Sequence, residues 1–208
     1  MPQRGNRREL LADAAIEVLA REGGRGLTHR AIDREAEVPE GTTKNYFPTR
    51  SALFLAVARY LAARHTEALE ALCSEIPADV SSEDITALYA AMLRRMATSA
   101  RSQFLALFEL HLEAVRNPEV RAALSAITEA NVDTAVHLHS AVGRRISRRG
   151  AGLLDAGMLG VALSMLSLPE DLVSELGLDD ADGLARALLA LGSPHGGPAI
   201  GVLRDAAG

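Results

Sequence analysis

The sequence predicts an all-α protein. Apolar residues recur at spacings of three and four in almost every segment, no segment shows the alternation of a strand, and Gly, Pro and Thr stand where helices would stop or start. About nine helices are expected. The first covers about residues 5–22, with Leu10, Leu11, Ala14, Ala15, Val18 and Leu19 on one face and Gly23-Gly24 as its stop. Thr28 caps a short second helix whose inward residues are Ala31, Ile32 and Ala36. Val38-Pro39-Glu40-Gly41 makes a tight turn into a third short helix, where Pro39 suits the first turn, and Pro48 ends it. Thr49 caps a fourth helix that runs to about Ile76 through Leu53, Val57, Leu61, Leu69 and Leu72.

Pro77 closes the fourth helix, and further helices are expected over about 82–99 (Ile85, Leu88, Met92, Met96) and 101–116 (Phe104, Phe108, His111, Val115). One of about 30 residues then begins at Pro118 with an apolar stripe of Val120, Leu124, Ile127, Leu138 and Val142. The run near 152–167 is apolar almost all round, which marks it as interior or as part of a subunit interface, and 183–192 gives a ninth helix. The Gly- and Pro-rich stretch 193–208 reads as a flexible tail.

Composition narrows the function. Of 208 residues, 48% are hydrophobic and 24% charged, an ordinary globular balance rather than that of a disordered chain. The single Cys73 excludes an internal disulfide and leaves no cysteine cluster for zinc. The N-terminus lacks an apolar signal core, and the charge-free run between Asp155 and Glu170 falls short of the roughly 20 residues of a membrane helix, so a cytoplasmic location and no membrane partner are expected. Charge is uneven. Residues 1–65 hold 11 Arg and Lys against 8 Asp and Glu, net +3, whereas residues 66–208 hold 11 against 19, net −8. The two parts should meet different partners.

The stretch PEGTTKNYF, residues 39–47, contains Lys44, the one lysine of the chain. Two short helices joined by a tight turn and braced by a preceding helix fit a helix-turn-helix, whose second helix enters the major groove. Gly41 permits close backbone approach, while Thr42, Thr43, Lys44 and Asn45 are compact groups able to reach base edges or phosphate. The Tyr46 hydroxyl suits phosphate and Phe47 should anchor the helix inward. His29, Arg30 and Arg34 point outward, and Arg4, Arg7 and Arg8 form an N-terminal arm for phosphates or a minor groove. The alternative is a polar loop between two core helices.

Across about residues 7–60, RRELLADAAIEVLAREG through GLTHRAIDREAEVPEGTTKNYFPTRSAL resembles the DNA-binding domain of the tetracycline-repressor (TetR) family of bacterial transcription regulators. FELHLEAVRNPEVRAAL resembles, less strongly, the middle of that family's ligand domain. The resemblance implies that Thr28, His29, Thr42, Tyr46 and Arg50 take phosphate and that Arg30, Glu40, Gly41, Lys44 and Asn45 meet base edges. Lys44-Asn45 replaces the family's usual aromatic, so the operator should be read differently. Glu40 would accept from a cytosine amino group or favour the positive end of the third helix.

The resulting division is a helix-turn-helix domain at 1–48 and a helical effector-binding and dimerisation domain at 49–192. Asn131 and His111 on apolar faces, with Phe104, Phe108, Met92 and Met96, are the candidate ligand contacts, although both polar residues also fit as satisfied core groups. With no Trp and seven Phe or Tyr, an apolar or weakly polar effector is expected rather than a cationic drug in an aromatic cage. Gly157 and Gly160 permit close packing of the 152–167 helix, which with Leu184, Leu188, Leu189 and Leu191 of the last helix would build an intersubunit four-helix bundle. Arg144, Arg145, Arg148 and Arg149 read as favourable charge at a helix C-terminus. The expected protein is a homodimeric repressor released from a palindromic duplex by a small molecule, needing no metal or cofactor. A regulator without an effector and a helical enzyme are the rival readings, and no nucleophile or metal-ligand spacing supports the enzyme.

Overall fold

The computed structural model describes residues 4–77 and 79–192, so the tail expected at 193–208 lies outside the described residues. Among those described there are ten helices and no strand: α1 (Arg4–Gly26), α2 (His29–Glu35), α3 (Thr42–Tyr46), α4 (Arg50–Ser74), α5 (Ser82–Ala97), α6 (Arg101–Ala114), α7 (Pro118–Ala141), α8 (Arg148–Ser167), α9 (Glu170–Glu175) and α10 (Ala181–Gly192). One compact unit holds the residues up to Glu75 together with Arg94–Ala130, and the other holds Ile76–Leu93 together with the residues from Asn131 on.

In the first unit α1 packs chiefly on α6 and then on α2 and α4. Leu11, Val18 and Leu19 of α1 are sealed from solvent together with Leu27, Ile32, Leu53, Val57, Leu110 and Val120. Full burial of each such side chain contributes about 1.5–3 kcal/mol. The regular α1 helix breaks at Gly23 (φ 67°, ψ −177°), where the sequence places the stop. The next residue is fastened across the unit, since the Gly24 N–H donates to Glu109 Oε2 on α6 at 2.8 Å. Thr28 and Thr49 cap α2 and α4 as expected, accepting from Ala31 N–H (3.2 Å) and Ala52 N–H (3.1 Å). Asn117 does the same for α7, accepting from Glu119 and Val120 N–H while its amide donates to Ser51 Oγ at 3.0 Å.

In the second unit the buried residues include Ile85, Tyr89 and Leu93 of α5, Val132, Ala135 and Leu138 of α7, Leu154, Met158 and Ala162 of α8, and Ala185, Leu188 and Leu189 of α10. α8 and α10 pack closely at Gly157, where a Cβ would stand 2.5 Å from Leu188 Cδ2. Gly160 faces open space instead.

Three expectations change. Among the described residues the short α9, which follows Pro169 and stops two residues before Gly177 (φ 66°), makes ten helices where about nine were expected. α7 has 24 residues rather than about 30. Gly143 stops it at φ 68°: the N–H of Arg144 reaches His139 O (2.9 Å) and that of Gly143 reaches Ser140 O (3.0 Å), the paired bonds of a Schellman end. Val142 therefore falls outside the helix. Arg148 and Arg149 do not close a helix but open α8 after its cap Ser147, where the dipole disfavours positive charge, and Arg148 is held by Asp133. α8 is long and apolar enough to cross a membrane by length and composition alone, a test that a core helix also passes. Asp155 interrupts that helix at its middle and accepts from Asn131 Nδ2 at 2.7 Å.

Candidate nucleic-acid interface

α2 and α3 form the helix-turn-helix, and its geometry begins with a residue that the sequence reading passed over. Asp33 is buried on α2, 3% exposed, eight residues ahead of Gly41. Its Oδ2 accepts the Gly41 N–H at 2.7 Å, and its Oδ1 accepts both the Thr43 N–H (2.7 Å) and the Thr43 hydroxyl (2.5 Å). The first N–H groups of a helix have no partner within it. Asp33 supplies partners for two donors at the start of α3 and so sets where that helix begins relative to α2. Burial opposes the charge of Asp33, but the Thr43 hydroxyl and the Thr43 and Gly41 N–H groups outweigh it and hold the carboxyl below its usual range. An acid on the inward arc of α2, just ahead of a Gly-Thr-Thr helix start, was the available signal.

The turn has two left-handed residues. Gly41 lies at φ 90° with nothing within 4 Å of a would-be Cβ, so the backbone conformation and not crowding calls for glycine. Glu37 lies at φ 50°, where glycine usually ends a helix: its N–H reaches Arg34 O (3.3 Å) and that of Val38 reaches Asp33 O (3.0 Å).

Of the predicted contacts, Lys44 and Asn45 are exposed on α3, Arg30 is exposed on α2 and Glu40 on the turn. Arg30 Nε lies 3.0 Å from Glu40 Oε1, with side chains 81% and 70% exposed. Thr42 is half-buried and its hydroxyl donates to Pro39 O at 2.6 Å. Thr43 is a correction: it is 0% exposed and bound to Asp33, so its side chain holds α3 in place and presents nothing outward. Thr28 is exposed beside its capping bond.

Other residues serve the scaffold with the same atoms that were expected to meet phosphate. His29 is half-buried and its Nε2–H donates to Phe47 O at 2.6 Å, fixing the end of α3. Phe47 is buried as predicted. Arg50 donates from Nη1 to Leu27 O (2.9 Å) and from Nη2 to Gly24 O, and its guanidinium lies 5.2 Å above the Phe54 ring. Arg8, exposed on the first turns of α1, lies 5.8 Å from the rings of both Tyr46 and Phe47. Tyr46 and Arg7 are half-buried, and the Arg4 side chain lies outside the described residues.

The candidate ligand contacts fall in separate units. Met96 is buried and Phe104 and Phe108 are half-buried in the first, where His111, expected on an interior face with them, is exposed. Met92 and Asn131 are half-buried in the second. There the sequence reading missed three neighbours. Asp155 binds the Asn131 amide. Tyr89 is buried, and that burial and then the charge of Asp155 push its hydroxyl well above the usual phenol range. His139 is buried, with its Nδ1–H donating to Ala135 O at 2.7 Å and its ring 6.4 Å from that of Tyr89.

Comparison with known proteins agrees with this architecture. Residues 11–57 match the family described as bacterial regulatory proteins, tetR family, and residues 80–192 match the tetracyclin repressor-like C-terminal domain. No curated protein matches the chain. Among solved structures, the multidrug binding protein EbrR complexed with ethidium is 26% identical over 88% of this chain and 98% of its own, with a TM-score of 0.61. A member of the TetR family from Streptomyces coelicolor A3 is 25% identical over 89% and 97%, with a TM-score of 0.61. A transcriptional regulator from Rhodococcus sp. Rha1 shares the fold at 22% identity over 88% and 95%, with a TM-score of 0.64. With both domains matched in order along one chain and α2–α3 set as a helix-turn-helix, this protein belongs to the TetR family of transcriptional regulators.

Proposed function

We propose that the protein is a homodimeric, sequence-specific DNA-binding repressor of the cytoplasm that leaves a palindromic operator when a small molecule binds. The observation that carries the DNA-reading part is the fixing of α3 by Asp33 with Lys44 and Asn45 exposed on it. A short helix reads bases at less cost when its register is set before contact, because ordering it on the duplex would subtract from affinity. In this reading residues 1–48 are the DNA-binding domain and 49–192 carry effector binding and dimerisation. Lys44, Asn45, Arg30 and the Gly41 backbone meet base edges, while Thr28, Thr42, Tyr46, Arg7 and Arg8 meet phosphate.

Two copies are supported by α8, where Leu153, Ala156, Gly160 and Leu163 are exposed at spacings of three, four and three. An apolar seam with that spacing is what a helix needs to pack against a second helix. Two reader helices about 34–36 Å apart would then meet successive turns of one duplex face.

For the effector, an apolar or weakly polar molecule fits a helical domain with few aromatics. A second reading, a cationic planar effector, is favoured by Asp155 beside Asn131 and Tyr89. EbrR is known in complex with ethidium, proflavin and malachite green. The whole reading is tested by anisotropy titrations with a duplex selected from a random pool. Two protomers should bind per duplex, a scrambled duplex should bind far more weakly, and any releasing molecule must bind less tightly to the duplex-bound protein than to the free protein. Equal affinity for selected and scrambled duplexes would remove the specificity, and equal affinity of the small molecule for both forms would remove the release.

A further inference from the structure

We infer that Glu40 is a positioning residue for base recognition: it fixes the Arg30 guanidinium so that its two terminal nitrogens present to a guanine, and it does not itself read a base. The inference rests on the DNA-reading function proposed above. Its basis is the way the pair is made. The ion pair comes closest at Nε, 3.0 Å from Glu40 Oε1, and so draws the carboxylate to the inner nitrogen of the guanidinium ahead of its two terminal ones. Two parallel N–H groups on the terminal nitrogens match the O6 and N7 acceptors that guanine displays in the major groove, the commonest specific contact of arginine with DNA.

Glu40 precedes Gly41 at the start of α3 and Arg30 lies one residue into α2 after His29, so the pair bridges the two helices of the motif at their exposed side. Both backbones are already fixed: Asp33 on α2 holds the Gly41 N–H, one residue from Glu40. The two side chains, 81% and 70% exposed, are therefore held at their roots but free of the core, which suits groups that must meet a ligand. An unpaired carboxylate at this place would repel the phosphates, and an unpaired arginine would lose its rotamer freedom on binding. Paired, Glu40 offsets the first effect by neutralising charge and the second by preordering the fork. Exposure also makes the pair nearly neutral for the stability of the free protein. Its consequence belongs to the complex, where water is excluded and the charge pair strengthens.

The test uses the full chain and the duplex that it selects from a random pool. Affinities for that duplex and for each single base-pair variant are measured by anisotropy at fixed salt for wild type, Arg30→Ala, Glu40→Gln and Glu40→Ala, with circular dichroism of each variant as a check on folding. Arg30→Ala should remove discrimination at one G·C pair. Glu40→Gln and Glu40→Ala should weaken discrimination at that same pair by about tenfold, the scale of a good bidentate contact, while raising affinity for unrelated duplexes because a negative charge is gone. Unchanged discrimination in both Glu40 variants overturns the inference and leaves the DNA-reading function standing, as does a loss that falls at a different base pair, which would make Glu40 a reader in its own right. Selection of no motif by the wild-type chain overturns the DNA-reading function and this inference with it.

Discussion

Asp33 and Thr43 form the joint of the helix-turn-helix: one carboxylate oxygen accepts both the backbone N–H and the hydroxyl of the threonine, at 2.7 and 2.5 Å, in the interior of the motif. A charged group is retained there because three donors converge on it, the third being the Gly41 N–H. Replacing Asp33 by Asn leaves one of these donors facing an amide N–H₂, and a buried donor left without an acceptor costs about 1–3 kcal/mol. Thermal unfolding should show Asp33→Asn markedly destabilised, and Thr43→Val destabilised by about 1 kcal/mol, since it loses one hydroxyl bond at nearly constant volume.

The same joint has a pH signature. The folded-state value of Asp33 is held below its ordinary 3.8, so its contribution to stability is complete above that ordinary value and fades as pH falls through the lower folded value. The stability difference between wild type and Asp33→Asn, followed by urea unfolding, should be constant near neutrality and shrink below about pH 4. A difference that grows on acidification would contradict the assignment.

Glu37 occupies a left-handed position at φ 50° on the exposed end of α2. A side chain there strains the backbone by about 1–2 kcal/mol, part of which is returned by the larger entropy of glycine in the unfolded chain. Glu37→Gly should therefore raise the melting temperature, or leave it unchanged, and keep DNA affinity. A clear fall would mean that the Glu37 side chain makes a contribution beyond its backbone geometry.

Arg50 joins α4 to the carbonyls of Gly24 and Leu27 and packs over Phe54. Arg50→Ala should lower stability by about 1–3 kcal/mol, as expected for a lost charge-assisted bond. Arg50→Lys should recover little of that, because one ammonium cannot replace the planar fork. If Arg50→Ala instead melted like wild type and lost only DNA affinity, phosphate contact would be its main role.

For the dimer, Leu163 is 47% exposed on the α8 seam. Sedimentation should find wild type as a dimer and Leu163→Glu shifted to monomer at micromolar concentration, since a charge in an apolar seam must be desolvated on association. A monomeric wild type would exclude the proposed assembly.

What the sequence disclosed followed periodicity and helix punctuation. Spacings of three and four located the long helices, and Gly23, Thr28, Thr49 and Pro118 marked their ends, because these signals are local. α9 was missed because six residues hold less than two turns of pattern, and α7 was drawn too long because Gly143 was read within a helix instead of as its left-handed end. At the interface, residue type identified the exposed Lys44, Asn45 and Arg30 but could not say which polar groups turn inward. Thr43, His29 and Arg50 carry hydrogen-bonding atoms that serve equally for phosphate or for the scaffold, and only tertiary geometry gives them Asp33, Phe47 and Gly24 as partners. The same ambiguity hid Asp155 as the partner of Asn131.

The central claim, that α3 reads sequence, is met most directly by selecting binding sites from a pool of random duplexes at fixed salt with wild type and Lys44→Ala. A palindromic motif for wild type, with preference relaxed at one defined position by Lys44→Ala, is the predicted result. Binding without a motif, or a motif that Lys44→Ala leaves intact at every position while affinity falls evenly, would place Lys44 on phosphate and contradict it.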